Sequence, residues 1–118
     1  MNRKALEHMY PRLYQMFSAY FHQNFETTTE DYDENKPIVP QITYNYKRDC
    51  TDRHIEATIK ELEDLINKHY TEDLLDKITY ELGMWIKVSY YGYTHNQFLR
   101  EIVQLLKDEH HPPRKWIN

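Results

Sequence analysis

Glycine is scarce in this sequence, with two in 118 residues, and cysteine is scarcer still, with one. Two glycines, Gly83 and Gly92, are too few for the repeated tight turns of a many-stranded β-fold, and no glycine-rich phosphate loop can be built from them. The single thiol, Cys50, forbids an intrachain disulfide and points to a reducing compartment. No apolar run approaches the roughly 20 residues that cross a bilayer. Residues 1–9 carry Arg3 and Lys4 but lack the apolar stretch and the small-residue cleavage site of a secretory leader. The expectation is a cytoplasmic protein that makes no membrane contact.

What is present is an ordinary globular balance, 40% hydrophobic and 29% charged residues, in a length that suits one domain over residues 1–118. The formal net charge is −4, and its placement matters more than its size. Glu26, Glu30, Asp31, Asp33 and Glu34 stand against Lys36 alone, so one short segment holds the whole excess and the rest of the chain balances. A nucleic-acid binder concentrates the opposite sign. This pattern suits a protein that meets a basic partner.

Hydrophobic spacing predicts helices. Pro11 fits a first turn, where its missing N–H has no bond to make. Leu13, Met16, Phe17, Tyr20 and Phe21 then share one face to about Gln23, with Lys4–Met9 available to extend that helix backward. Thr27–Lys36 reads as an exposed acidic loop closed by Pro37 and Pro40. Ile42, Tyr44 and Tyr46 alternate like a strand, but a lone strand has nothing to pair with, so a short helix opened by Pro40 is the better reading. Thr51 caps a helix whose apolar stripe is Ile55, Ile59, Leu62 and Ile66, with Leu65 beside it and Lys60, Glu61, Glu63, Asp64 and Lys68 facing outward. Thr71 caps the next, which buries Leu74, Leu75, Ile78 and Leu82 and stops at Gly83. Met84, Ile86, Val88 and Tyr90 alternate with Trp85, Lys87 and Ser89, which predicts a short extended segment over residues 84–91. Thr94 and Gln97 form a capping box for a last helix through Phe98, Ile102, Leu105 and Leu106 to about Glu109. Trp116 and Ile117 could pin the tail to the core. The fold class is all-α: one bundle of four to five helices.

Groupings that could do chemistry fail on spacing. Seven histidines include no pair one helical turn apart, and the adjacent His110 and His111 diverge, so no metal site is expected. Cys50 precedes a helix N-terminus with Lys47, Arg48 and His54 nearby, but a nucleophile needs a positioned base and an oxyanion site, and a small buried thiol is the simpler reading. Carboxylate pairs such as Glu61–Asp64 and Glu72–Asp76 lie among lysines on helix surfaces. The expectation is a protein with no catalytic residue and no cofactor.

Tyrosine is abundant, with 11 residues. Tyr10, Tyr14 and Tyr20 suit the first helix and Tyr90 the core. Tyr91 fits the core and an interface equally, and it clusters with Tyr93 beside Gly92, where tyrosine offers contact area at low entropic cost. Partner binding is therefore assigned to Glu26, Glu30, Asp31, Tyr32, Asp33 and Glu34, with Tyr91 and Tyr93 as anchors.

The run Tyr10-Pro11-Arg12-Leu13-Tyr14-Gln15-Met16-Phe17-Ser18-Ala19-Tyr20-Phe21-His22-Gln23 resembles the opening of the CdiI immunity family of bacterial contact-dependent growth inhibition. Tyr20-Phe21-His22-Gln23 is its most specific part, and Asn24-Phe25 replaces the Asp-Trp usual after it. The resemblance implies a protein that binds and neutralises the C-terminal toxin domain of a cognate CdiA effector. It implies that this domain is a basic nuclease, most often an RNase, held in a 1:1 complex in the cytosol. The alternative is a small regulatory or adaptor protein of helical fold with no toxin partner.

Overall fold

The computed structural model describes residues 2–22, 29 and 32–108. Its first helix, α1 (Arg3–Met9), starts on Asn2, whose side chain accepts the Ala5 N–H at 2.8 Å. The second, α2 (Pro11–Tyr20), is a separate element, not the backward extension of one helix. Proline disfavours helical geometry in the residue before it, and Tyr10 accordingly leaves the helix at φ −130°, ψ 61°. Leu6, Tyr10, Leu13, Met16 and Phe17 are buried across this break. The helix ends at Tyr20; Gln23, its expected end, lies outside the described residues.

The ambiguous stretch after Pro37 is helical: α3 spans Ile38–Asp49 and buries Val39, Ile42, Thr43, Tyr46 and Lys47. It begins earlier than expected. Pro37 is its N-cap and Pro40 sits in the first turn, where a missing N–H costs nothing. Helix α4 (Asp52–Asn67) opens at Thr51, whose hydroxyl accepts the His54 N–H at 3.1 Å. Thr58 occupies part of the buried stripe assigned to Ile59, because its hydroxyl donates to the His54 carbonyl at 2.9 Å and meets the Tyr46 hydroxyl at 2.7 Å. Helix α5 (Glu72–Glu81) is capped by Thr71 as expected, its hydroxyl 3.2 Å from the Leu74 nitrogen.

Gly83 stops α5 in the left-handed region at φ +94°. The Gly83 and Met84 N–H groups donate back to the carbonyls of Tyr80 and Thr79. A side chain at Gly83 would also meet α2, with the position of a Cβ lying 2.7 Å from Ser18 Cβ and 3.1 Å from Ser18 Cα. The end of α5 thus seats on α2 through the one residue that allows both the turn and the contact.

Residues 84–91 are not extended throughout: 84–87 are non-helical, with Lys87 extended, but the second half is not. Met84, Ile86 and Val88 are buried while Trp85 and Lys87 are exposed, so the alternation holds for burial. The backbone then winds into a 3-10 turn, Val88–Tyr91, closed by Gly92 at φ +84°. With about three residues per turn, Val88 and Tyr91 fall on the inner side and Tyr90 points out. Tyr90, expected in the core, is 80% exposed.

Helix α6 (His95–Lys107) begins on the expected capping box of Thr94 and Gln97, and stops two residues before Glu109. Six helices and one 3-10 turn therefore make up the described residues, more than the four to five anticipated. Trp116 and Ile117 lie outside them. Helix α6 packs against α3, α4, α5 and the 3-10 turn, with α2 across α3 and α4 and α1 against α2 and α5. Phe98 of α6 meets Phe17 and Phe21 at ring separations of 6.4 and 5.4 Å, the two phenylalanines lying edge-on to each other at 6.1 Å.

Both ends of α6 are met by ions from neighbouring helices. Lys47 is fully buried, and its ammonium donates to the carbonyls of Leu105 at 3.0 Å and Asp108 at 2.6 Å. The Glu72 carboxylate accepts the N–H groups of His95 at 2.6 Å and Asn96 at 3.1 Å. Each charge has the sign that suits its end of the helix dipole.

Two stability predictions follow from these contacts. Lys47→Met keeps the buried stem but strips two carbonyls of their donor, and is expected to cost about 1–3 kcal/mol in urea unfolding. Gly83→Ala combines a left-handed penalty of ~1–2 kcal/mol with the contact on Ser18. It should lower the urea midpoint clearly, whereas an equivalent Gly92→Ala, with open space around it, incurs only the backbone part.

Candidate partner-binding surface

The phenols come first, because most of them serve the fold. Tyr10 of the α1–α2 joint donates to Asp64 of α4 at 2.7 Å, and Tyr20 of α2 donates to Asp49 of α3 at 2.8 Å. Tyr44 donates to Asp108 at 3.3 Å. The Tyr10 and Tyr20 rings pack in or against the core while their hydroxyls reach carboxylates at the rim, and the Tyr44 ring lies under the Lys47 ammonium. Burial, reinforced by the neighbouring carboxylates, pushes Tyr10 and Tyr20 well above the usual phenol range; burial does the same for Tyr46. Tyr93 is pushed up to about 12, by burial and then by its hydrogen bond to Glu101.

That commitment bears on the expected anchors. Tyr93 is half-buried with its ring 6.2 Å from Phe98, and Tyr91 is half-buried with its ring 5.3 Å from Tyr90. Tyr32 is likewise half-buried against the core. Of the acidic run, Glu26, Glu30 and Asp31 lie outside the described residues. The segment is not wholly exposed as expected, since Thr29 is buried. Asp33 is tied to α3: its N–H donates to Gln41 at 2.7 Å and its carbonyl accepts from the same side chain at 2.9 Å. Its carboxylate accepts the Asn35 N–H at 2.9 Å and lies 3.9 Å from Lys36. Glu34 is exposed. Asp33 is thus held by α3, whereas Tyr91 and Tyr93 are held at the start of α6.

A second surface was not singled out by spacing. Trp85 and Tyr80 are 57% and 55% exposed, with ring centroids 5.6 Å apart. They flank a depression that also takes in Asp76 and Lys87. An adjoining depression shares those two residues and continues to Glu72, Asp73 and His95. His95 sits between carboxylates, Nδ1 3.2 Å from Glu72 and Nε2 3.2 Å from Asp76. Burial opposes ionisation of Glu72, but the two α6 amides and His95 outweigh it and hold that carboxyl below its ordinary value. The signal for Trp85 was present in the alternation of residues 84–88, whose outward phase carries it.

Elsewhere, charged groups read as surface decoration turn out to be structural. Glu61, expected to face outward, is half-buried and accepts the N–H groups of Arg12 at 3.0 Å and Leu13 at 3.2 Å, capping α2 from α4. Burial raises its pKa, against the pull of those amides and of Arg12. Cys50 is buried at the end of α3. The His54 ring lies against Tyr46 at 5.9 Å, and burial, followed by the nearby Arg12, lowers its pKa. Among the described residues no three histidine, cysteine, aspartate or glutamate side chains are grouped to hold a metal ion, and no helix is long and apolar enough to cross a membrane. His110 and His111 lie outside these residues.

Comparison with known families gives one match: a family model described as CdiI immunity protein covers residues 9–106. No curated protein and no solved structure matches the chain.

The raised phenols make a prediction about alkaline pH. An unfolded chain loses phenol protons near 10.0, the ordinary value, while folded Tyr10, Tyr20, Tyr46 and Tyr93 keep theirs. Their stabilisation is complete below about pH 10 and is lost as pH rises through the raised values, which for Tyr93 means by about 12. Phenolate absorbance should therefore show a late group of tyrosines ionising together with loss of helical circular dichroism. Ionisation of all of them near pH 10 with helicity intact would contradict this.

Proposed function

Because the chain belongs to the CdiI immunity protein family, we propose that it binds the toxic C-terminal domain of a cognate CdiA effector and blocks it in the cytosol as a 1:1 complex. The toxin on this reading is a nuclease, most simply one that cleaves RNA. The observation that carries the proposal is the family match across residues 9–106; the placement of charge supports the finer part. A nuclease presents a positive cleft to phosphates, and an inhibitor can occlude that cleft with a negative surface. On this reading the contact with that cleft is assigned to Glu26, Glu30, Asp31, Tyr32, Asp33 and Glu34, with Tyr91 and Tyr93 as anchors. Speed matters as well as affinity, since each turnover of a free toxin does damage. Charge attraction raises association rates, by about 10- to 1,000-fold over the neutral case.

The test is co-expression with the toxin domain encoded beside this gene. Protected growth and a stable complex are expected; a chain that neither binds nor protects refutes the function. Replacing Glu30, Asp31, Asp33 and Glu34 by their amides should slow association about 10-fold at low salt and flatten its salt dependence. An unchanged rate removes the acidic segment from the interface, and a toxin with no effect on RNA removes the RNase assignment.

A further inference from the structure

The exposed aromatic pair of Tyr80, on α5, and Trp85, four residues beyond its end, lies largely outside the core, and its setting says what would cover it. Met84, Ile86 and Val88 take every inward position of their segment, so Trp85 is left outside by register and not by lack of an apolar residue to bury. Its backbone is nonetheless fixed, because the Trp85 N–H donates to the Phe21 carbonyl at 3.0 Å and both neighbours are buried. An indole held out on an anchored backbone, with a phenol ring beside it, loses little freedom when a partner closes over it. Around it α5 carries Glu72, Asp73, Asp76 and Glu81 against Lys77 alone, and the two depressions add Lys87 and His95, the latter lying between Glu72 and Asp76.

We propose that the face formed by Asp73, Asp76 and Tyr80 of α5 together with Trp85 of the following segment is a docking surface for a basic patch of the toxin domain, with Trp85 as its anchor. The proposal rests on the reading that the chain binds such a toxin. Arginine or lysine of the partner would lie over the indole face while the aspartates complete the charge match. A second copy of this chain is the poorer occupant: a two-fold interface sets a patch against itself, which here puts carboxylates against carboxylates. Nucleic acid is disfavoured by the same charges.

The experiment uses the full chain and the toxin domain encoded beside it. Trp85→Ala should weaken the complex by ~30-fold or more, chiefly through faster dissociation. Asp73→Asn with Asp76→Asn should slow association and reduce its salt dependence. Glu72 is left intact because it caps α6. Hydrogen exchange on the unmodified chain gives a reading free of any folding defect, with amides of residues 80–88 expected to gain protection when the toxin is added. If the unmodified chain fails to bind the toxin, both the function and this surface fall. If it binds with no new protection over 80–88, or if Trp85→Ala binds as tightly as the original, the function stands and this surface is refuted. Loss of a self-associated form in Trp85→Ala at unchanged toxin affinity would assign the face to a second copy and likewise overturn the proposal.

Discussion

Helix α6 is the element around which the others are arranged, and its two ends are satisfied from outside. The first amides of any helix and its last carbonyls have no partner within it. In α6 the last carbonyls meet a fully buried Lys47, where leaving a polar group unpaired would be costly, while the first amides lie nearer the surface. Glu72 from α5 supplies negative charge at the start and Lys47 from α3 supplies positive charge at the end. A buried lysine is expensive unless its donors are used, and the helix end that needs donors is where they are used. The central helix is therefore located along its axis as well as across it.

The same device recurs at α2, where Pro11 leaves no side-chain cap at Tyr10 and Glu61 of α4 reaches over to accept two amides. Tyrosine does the complementary work at the rim. Tyr10, Tyr20 and Tyr44 each cross from one element to an acid on another, so the ring packs and the hydroxyl fixes orientation. A small bundle with little core can gain rigidity in this way, because apolar contact alone is non-directional and the hydrogen bonds select one arrangement among several well-packed ones.

How much of this was legible in sequence depended on whether a feature was local. Caps at Thr51, Thr71 and Thr94, the stop at Gly83 and the helical character of residues 38–49 are decided within a few residues, and spacing found them. The break at Pro11 was legible too, since proline acts on its own neighbour, but the apolar face continues through it and periodicity alone hides the joint. Glu61 and Glu72 were read as surface charges, and Lys47 only as a neighbour of Cys50, because their partners lie 48, 23 and 58 positions away. No pattern in one sequence reports such pairs. Tyr90 was misplaced for a different reason: a period of two was carried past Val88, where the backbone had changed to a period near three.

These corrections redistribute the aromatic residues between fold and surface. Tyrosine-rich loops suggest an interface, and here Tyr93 also packs on Phe98 and bonds Glu101 while Tyr91 packs on Tyr90, so both rings serve the fold with part of their surface. Among the described residues the exposed large rings are Tyr80, Trp85 and Tyr90. Two of these lie together beside the carboxylates of α5, one of which already serves as a cap. Glu72 thus belongs to the core helix and to the exposed face at once. A partner engaging that face would press on the start of α6, the same element that Lys47 holds from the far end. Docking there would be supported by a helix held at both ends, and little ordering would remain to be done on contact.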